Sequence, residues 1–228
     1  LAAAERQRGR MKAASTYVKE GRARTEDIPR LQGWLWVEVA RIGLAIGRHK
    51  TAGRALGRAR SAFAKAGDRA GYCAVSEGHG WTALEEGELR VADQRLASAQ
   101  QAWKDLGQRR ASVRTAFRRG LVAAAAGQHD RALSQLREVA GAVGAVGDRR
   151  LEVLVRLGIA AVSVANGSDP KAVATIGLLL REIDDARLVD ADVARLLVLA
   201  SARAPTLRES ARSQLRRLGR RAEADALG

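Results

Sequence analysis

Apolar positions in this chain recur with a helical period, and a longer period is laid over it. Between 29 and 46, Trp34, Trp36, Val37, Val39, Ile42 and Leu44 are apolar, and Gly47 follows. Between 51 and 66, Ala52, Leu56, Ala59 and Phe63 share one face before Gly67. Both spacings predict helices. Pro29 suits a first helical turn, Thr51 reads as the cap of the second helix, and the glycines read as helix stops. The pattern then returns, predicting helices over 69–86, 89–106, 109–126, 130–146, 149–166 and 170–183. Gly67-Asp68 and Gly147-Asp148 read as a stop followed by a cap, and Asp169 reads as a cap ahead of Pro170. No strand pattern competes.

The longer period is 40 residues. Ala40, Gly47, Ala52, Leu56 and Ala59 become Gly80, Gly87, Ala92, Leu96 and Ala99 one step on. The next steps give Gly120, Gly127, Ala132, Leu136, Val139 and then Ala160, Gly167, Ala172, Ile176, Leu179. Small residues at Ala40 and Ala52 let two paired helices approach closely, while Leu56 and Ala59 fill the space beside them. One such pair cannot bury its faces alone, so pairs must stack.

The ends fit less well. Residues 2–20 read as one basic helix with Ala3, Ala4, Met11, Ala14, Tyr17 and Val18 on its apolar stripe. Past 183 the register slips: 186–203 reads as a helix that includes Leu188, and Thr206 with Glu209 forms a capping-box pattern before a last helix to about 218. The expected organisation is therefore an N-terminal half-repeat at 1–28, helix pairs at 29–66, 67–106, 107–146 and 147–183, and a degenerate fifth pair with a tail at 184–228. The helical start at Leu1 and the absence of a polar cap near Leu215 lead us to expect a longer parent chain, or self-association through the array ends.

The column resembles the tetratricopeptide repeat, whose pattern is W-x2-L-G-x2-Y followed by A-x3-F and a further Ala. Trp36, Val39, Ala40, Ala52, Leu56 and Ala59 match it. The second repeat departs at Ser76 and His79, and the third at Ala116 and Arg119, but the small-residue column persists. The repeat is longer than the family's common form of about 34 residues. Its Gly67-Asp68-Arg69 and Gly147-Asp148-Arg149 junctions resemble those of long repeats in large bacterial signalling regulators. The resemblance implies an all-α, right-handed superhelical α-solenoid of stacked antiparallel helix pairs. It also implies that the first helix of each pair lines a concave groove. Trp34, Val37 and Arg41 would then face a partner, with Glu77 and Trp81, with Arg114, Phe117 and Leu121, and with Leu157. A one-residue change of register would instead place Trp34, Trp81 and Phe117 in the core, where Phe63 and Trp103 are expected in either case. The implied function is a scaffold or regulatory module that binds a peptide, a helix or another domain of its parent chain.

Composition changes this picture in one respect. Net charge is +15, from 40 basic and 25 acidic residues, and only six of the basic residues are Lys. Such a charge attracts acidic partners, so a basic solenoid that binds nucleic acid is the alternative reading. The Arg residues are interleaved with Asp and Glu, which favours reading an Arg-rich, Lys-poor composition as the coding bias of a high-GC genome, and they do not line up on one helix face as nucleic-acid recognition by repeats demands. Cys73 is the single cysteine and leaves no disulfide framework or thiol zinc site. No apolar run approaches membrane-span length and no signal-peptide pattern opens the chain, so a cytoplasmic protein is expected. His49 and His129 read as solvated turn residues, His79 as a partly buried one, and Glu85-Glu86 as a solvated helix end. No phosphate loop, dinucleotide fingerprint or nucleophile-base set is present, so neither an enzyme nor a cofactor or metal site is expected.

Overall fold

The structure, a computed structural model, describes residues 1–167, 170–186 and 191–227; Asp169 and Leu188, read above as a cap and a helical residue, lie outside them. The chain forms two compact units, Leu1–Gln108 and Arg109–Gly228. Every element among the described residues is helical.

The first unit contains α1 (Ala2–Gln7), α2 (Met11–Ala23), α3 (Pro29–Ala45), α4 (His49–Ala66), α5 (Arg69–Glu85) and α6 (Leu89–Asp105). Its helices stop at Gly47, Gly67, Gly87 and Gly107, all with positive φ. Gly67 shows why: at φ 61° it turns the chain so that the Asp68 amide reaches back to the Phe63 carbonyl at 3.2 Å. A residue with a Cβ is strained in that left-handed turn. Arg48 precedes α4 without a side-chain cap, and Thr51, expected as the cap, lies inside the helix.

α3 packs on α4 and α5 packs on α6, and the two pairs meet through α4 on α5 and α3 on α5. The small-residue column sits at the contacts. A Cβ on Gly80 would stand 2.8 Å from Leu96 Cγ, within its own pair. A Cβ on Gly33 would overlap the Phe63 ring of the same pair; between pairs, one on Gly71 would overlap that ring too, and one on Gly78 would stand 2.6 Å from Leu56 Cδ2. Phe63 is fully buried in the space Gly33 and Gly71 leave.

The N-terminal stretch differs from the single helix expected over 2–20. Gly9, at φ 74°, breaks it into α1 and α2, and the Arg10 amide donates to the Glu5 carbonyl at 2.9 Å. Gly9 stands 38 residues before Gly47, and Ala14, Val18 and Gly21 stand 38 before Ala52, Leu56 and Ala59. The stretch is thus a helix pair with a very short first member, spaced two residues off the common period. Ala14 and Val18 are buried against Ile42, with Met11, Leu35 and Val39 around them, while Tyr17 is 39% exposed. Arg6 on α1 ties to Glu38 on α3 at 2.6 Å.

The second unit contains α7 (Arg109–Ala125), α8 (His129–Val143), α9 (Arg149–Ala165), α10 (Pro170–Asp185), α11 (Ala191–Ser201), α12 (Arg208–Arg217) and α13 (Arg221–Asp225). α8 runs into a 3-10 turn at Gly144–Val146, and another, Pro205–Leu207, precedes α12. Neighbouring helices pack in order from α7 to α10, α9 also meets α11, and α11, α12 and α13 follow one on another. Gly158 on α9 leaves room for Phe117 and Leu136, whose atoms lie 3.4 Å from where its Cβ would stand. Thr206 makes no cap to α12. Leu215 and Leu218 are buried, and α13 covers α12 with a fully buried Ala224.

Gly80→Leu should therefore cost about 1–3 kcal/mol or more of folding stability, because the Leu96 side chain and backbone both block the new atoms. Gln101→Leu, on the exposed face of α6, should stay within about 0.5 kcal/mol. Urea unfolding of both variants measures the difference.

Candidate functional site

Helix junctions concentrate the charged chemistry of each unit. Asp68 caps α5 by accepting from the Gly71 amide at 2.9 Å. Its other oxygen accepts from Arg30 Nε at 3.0 Å and from the Trp34 indole N–H at 3.2 Å, both on α3. Trp34 also meets Phe63 edge to face, with ring centroids 5.2 Å apart. One carboxylate thus ends one helix and clasps another. In the second unit Asp148 does the same, accepting from the Leu151 amide at 3.0 Å and from Arg110 Nε at 2.8 Å. Burial opposes ionisation of both carboxylates, but the amide and the Arg outweigh it, aided at Asp68 by the indole, and hold both below the ordinary Asp range. The equivalent positions at the intervening junction are Ala70 and Gln108, which cannot form this ion pair.

Most of the residues expected in a groove are packed instead. Val37, Glu77, Trp81, Phe117, Leu121 and Leu157 are between 0% and 5% exposed. The first helices bury that face within the helix stack, so these side chains hold helices together in this structure. Trp34, Arg41 and Arg114 keep partial exposure. Trp34 is committed to Asp68 and Phe63, and Arg41 lies 3.6 Å from Glu38. Phe63 and Trp103 are buried as expected.

Other titratable groups divide between core and junction. His49 opens α4 with Nε2 3.7 Å from Glu85 Oε2, and the Glu85 side chain is 1% exposed rather than solvated. Burial, with Arg95 and Arg60 nearby, pushes the half-buried His79 imidazole down. Burial also pushes the Cys73 thiol up, as for a packing residue. Among the described residues no three His, Cys, Asp or Glu side chains gather as a metal site. No described helix is long and apolar enough to cross a membrane.

A groove that sequence reasoning missed opens on the first unit beside Trp36. Its cavity of about 590 Å³ is lined by Glu26, Pro29, Gln32 and Trp36 on one side and by α4 residues from Arg54 to Lys65 on the other. The Arg22 guanidinium lies 3.6 Å from the centroid of the Trp36 ring, and that of Arg58 lies 4.6 Å from it. Gln32 holds the chain leaving α2, donating to the Arg22 carbonyl at 2.6 Å and to Thr25 Oγ1 at 3.1 Å. Burial and the neighbouring Arg58 charge both lower the Arg22 pKa, with Glu26 acting the other way. The sequence signal for the groove is the helical spacing of Arg54, Arg58 and Lys65. What could not be read there was that Arg22 crosses to the same ring.

No protein-family model matches the chain, and no curated protein matches it. Solved structures do. One is the crystal structure of a Rap protein complexed with competence and sporulation factor, which is similar over 99% of this chain and 70% of that one. The TM-score is 0.72 and the sequence identity 13%. The likeness is one of fold: an all-α array of consecutive helix pairs of the tetratricopeptide-like kind.

Asp68→Ala removes a cap and two side-chain hydrogen bonds and should cost about 1–3 kcal/mol near neutral pH. Because the folded carboxyl has the lower pKa, its contribution is present above the ordinary Asp range, near pH 3.9, and is lost as pH falls through the folded value. The stability gap between wild type and Asp68→Ala should therefore narrow on acidification. Denaturant unfolding across pH 3–7 checks it.

Proposed function

We propose that the chain is a protein-interaction module, a tetratricopeptide-type array of 40-residue helix pairs that holds a peptide, a helix or another domain of its parent protein. The observation that carries this reading is the fold likeness, across nearly the whole chain, to a Rap protein solved with competence and sporulation factor bound. The recurring stops at Gly47, Gly67, Gly87 and Gly107 support the division into pairs at 29–66 and 67–106. Those at Gly127 and Gly147 support the pairs at 107–146 and 147–183. We place the module in a regulatory or sensor role within a larger, cytoplasmic bacterial protein, and assign it no catalysis. Of the residues first expected to face a partner, Arg41 and Arg114 remain candidates, each on its own unit.

Peptides selected from a displayed random library on the immobilised chain should converge on a consensus. The selected peptide should bind the folded chain one to one, with a dissociation constant on the order of micromolar. Arg41→Ala or Arg114→Ala should weaken at least one such peptide about tenfold. Selection that converges on nothing, from a chain shown folded by circular dichroism, overturns the reading.

A further inference from the structure

Arg54, Arg58 and Lys65 line one edge of the groove beside Trp36. They fall at i, i+4 and i+11 of α4, so they form a row about 16 Å long at the helical rise. All three are exposed. Together with Arg22, four cations meet a single lining carboxylate, Glu26. Among the described residues none of the four cations makes an ion pair. That is unlike Arg6, Arg30, Arg110 and Arg149, each of which is matched to a carboxylate.

Arg22 is the most constrained of the four. Its face lies on the Trp36 ring, and its Nε is buried with no hydrogen-bond partner. Stacking holds the guanidinium in place and fixes its charge beside the groove. Two guanidinium charges held this close to each other raise the local positive potential that an anion would relieve.

We infer that this groove is a binding site for an extended acidic peptide segment, with its carboxylates along Arg54, Arg58 and Lys65 and the Arg22 guanidinium on the Trp36 ring adding to the positive field. The length of the row suits about five residues of extended chain at its rise per residue. A single point anion would leave most of the row unused. Single-stranded nucleic acid needs open aromatic faces on which bases stack, and here two guanidinium groups crowd the one ring that lines the groove. The inference rests on the interaction-module reading in taking the ligand to be polypeptide.

The test is fluorescence anisotropy with the whole chain and a fluorescein-labelled peptide of five glutamates. Pentaglutamate should bind, more weakly as salt rises, and the matching pentaglutamine should not. Arg54→Gln with Arg58→Gln should lose at least tenfold in affinity. Arg90→Gln with Arg95→Gln, an equal loss of charge from the exposed surface of α6, should stay within about twofold. Circular dichroism confirms that both double variants are folded. Equal losses in the two double variants would reduce the effect to diffuse net charge and overturn the site, as would equal binding of pentaglutamine. Tighter binding of oligothymidylate or tripolyphosphate through Arg54 and Arg58 would overturn the choice of a peptide. A selected consensus without acidic residues and insensitive to those two arginines ends the groove inference and leaves the module reading standing. Pentaglutamate binding with no consensus at all does the reverse.

Discussion

Several helix contacts depend on a glycine whose missing side chain leaves room for a neighbour's. Phe63 is the clearest case. Its ring occupies space vacated by Gly33 on the first helix of its own pair and by Gly71 on the first helix of the next. The contact joins three helices through one side chain, and the Trp34 ring closes over its edge. The same logic repeats with aliphatic side chains, Leu96 against Gly80 and Leu136 against Gly120. With few aromatic residues available, the core reaches native density by shortening the distance between axes rather than by enlarging side chains. The polar clasps depend on that approach. Arg30 and Trp34 reach Asp68 only because α3 lies against the start of α5.

Much of this was legible as spacing. The glycine stops, the Ala-x-x-x-Leu faces and the Gly-Asp junctions are local, and local chemistry determines them: a left-handed turn needs Gly, and an exposed first turn needs an acceptor. Gly9 is equally local, but its offset of two residues takes it out of the 40-residue register. The groove residues were misread for a different reason. Periodicity tells which residues share a helix face, and Val37, Trp81, Phe117 and Leu157 are buried on theirs. Whether that face opens to solvent or closes on a neighbour depends on how helix pairs are inclined to each other, and no single helix encodes that angle. Contacts such as Arg22 on Trp36 or Arg6 on Glu38 depend on the path of a connecting segment, which residue type alone does not reveal.

Charge is organised at two levels. Asp68 and Asp148, the first buried and the second partly so, each cap a helix and pair with an Arg of the preceding pair, and so fix the start of that helix relative to it. The larger positive excess is spread over exposed faces, where most cations contribute little to stability. The groove at Trp36 belongs to neither group. Its lining cations stand along one edge of a structured surface and face a single lining carboxylate, Glu26.

The glycines fall into kinds that natural variation treats very differently. Gly33, Gly71 and Gly78 are walled in by neighbouring side chains, so every codon change that alters the residue deforms a contact between helices. Gly53, Gly141 and Gly177 lie inside helices with open space where a Cβ would stand. There an alanine would add helix propensity, roughly 0.5–1 kcal/mol at each position, without touching anything. The array therefore carries slack beside rigidity. A lineage under thermal stress has stabilising single steps within reach on α4, α8 and α10, while Gly33, Gly71 and Gly78 stay closed to drift.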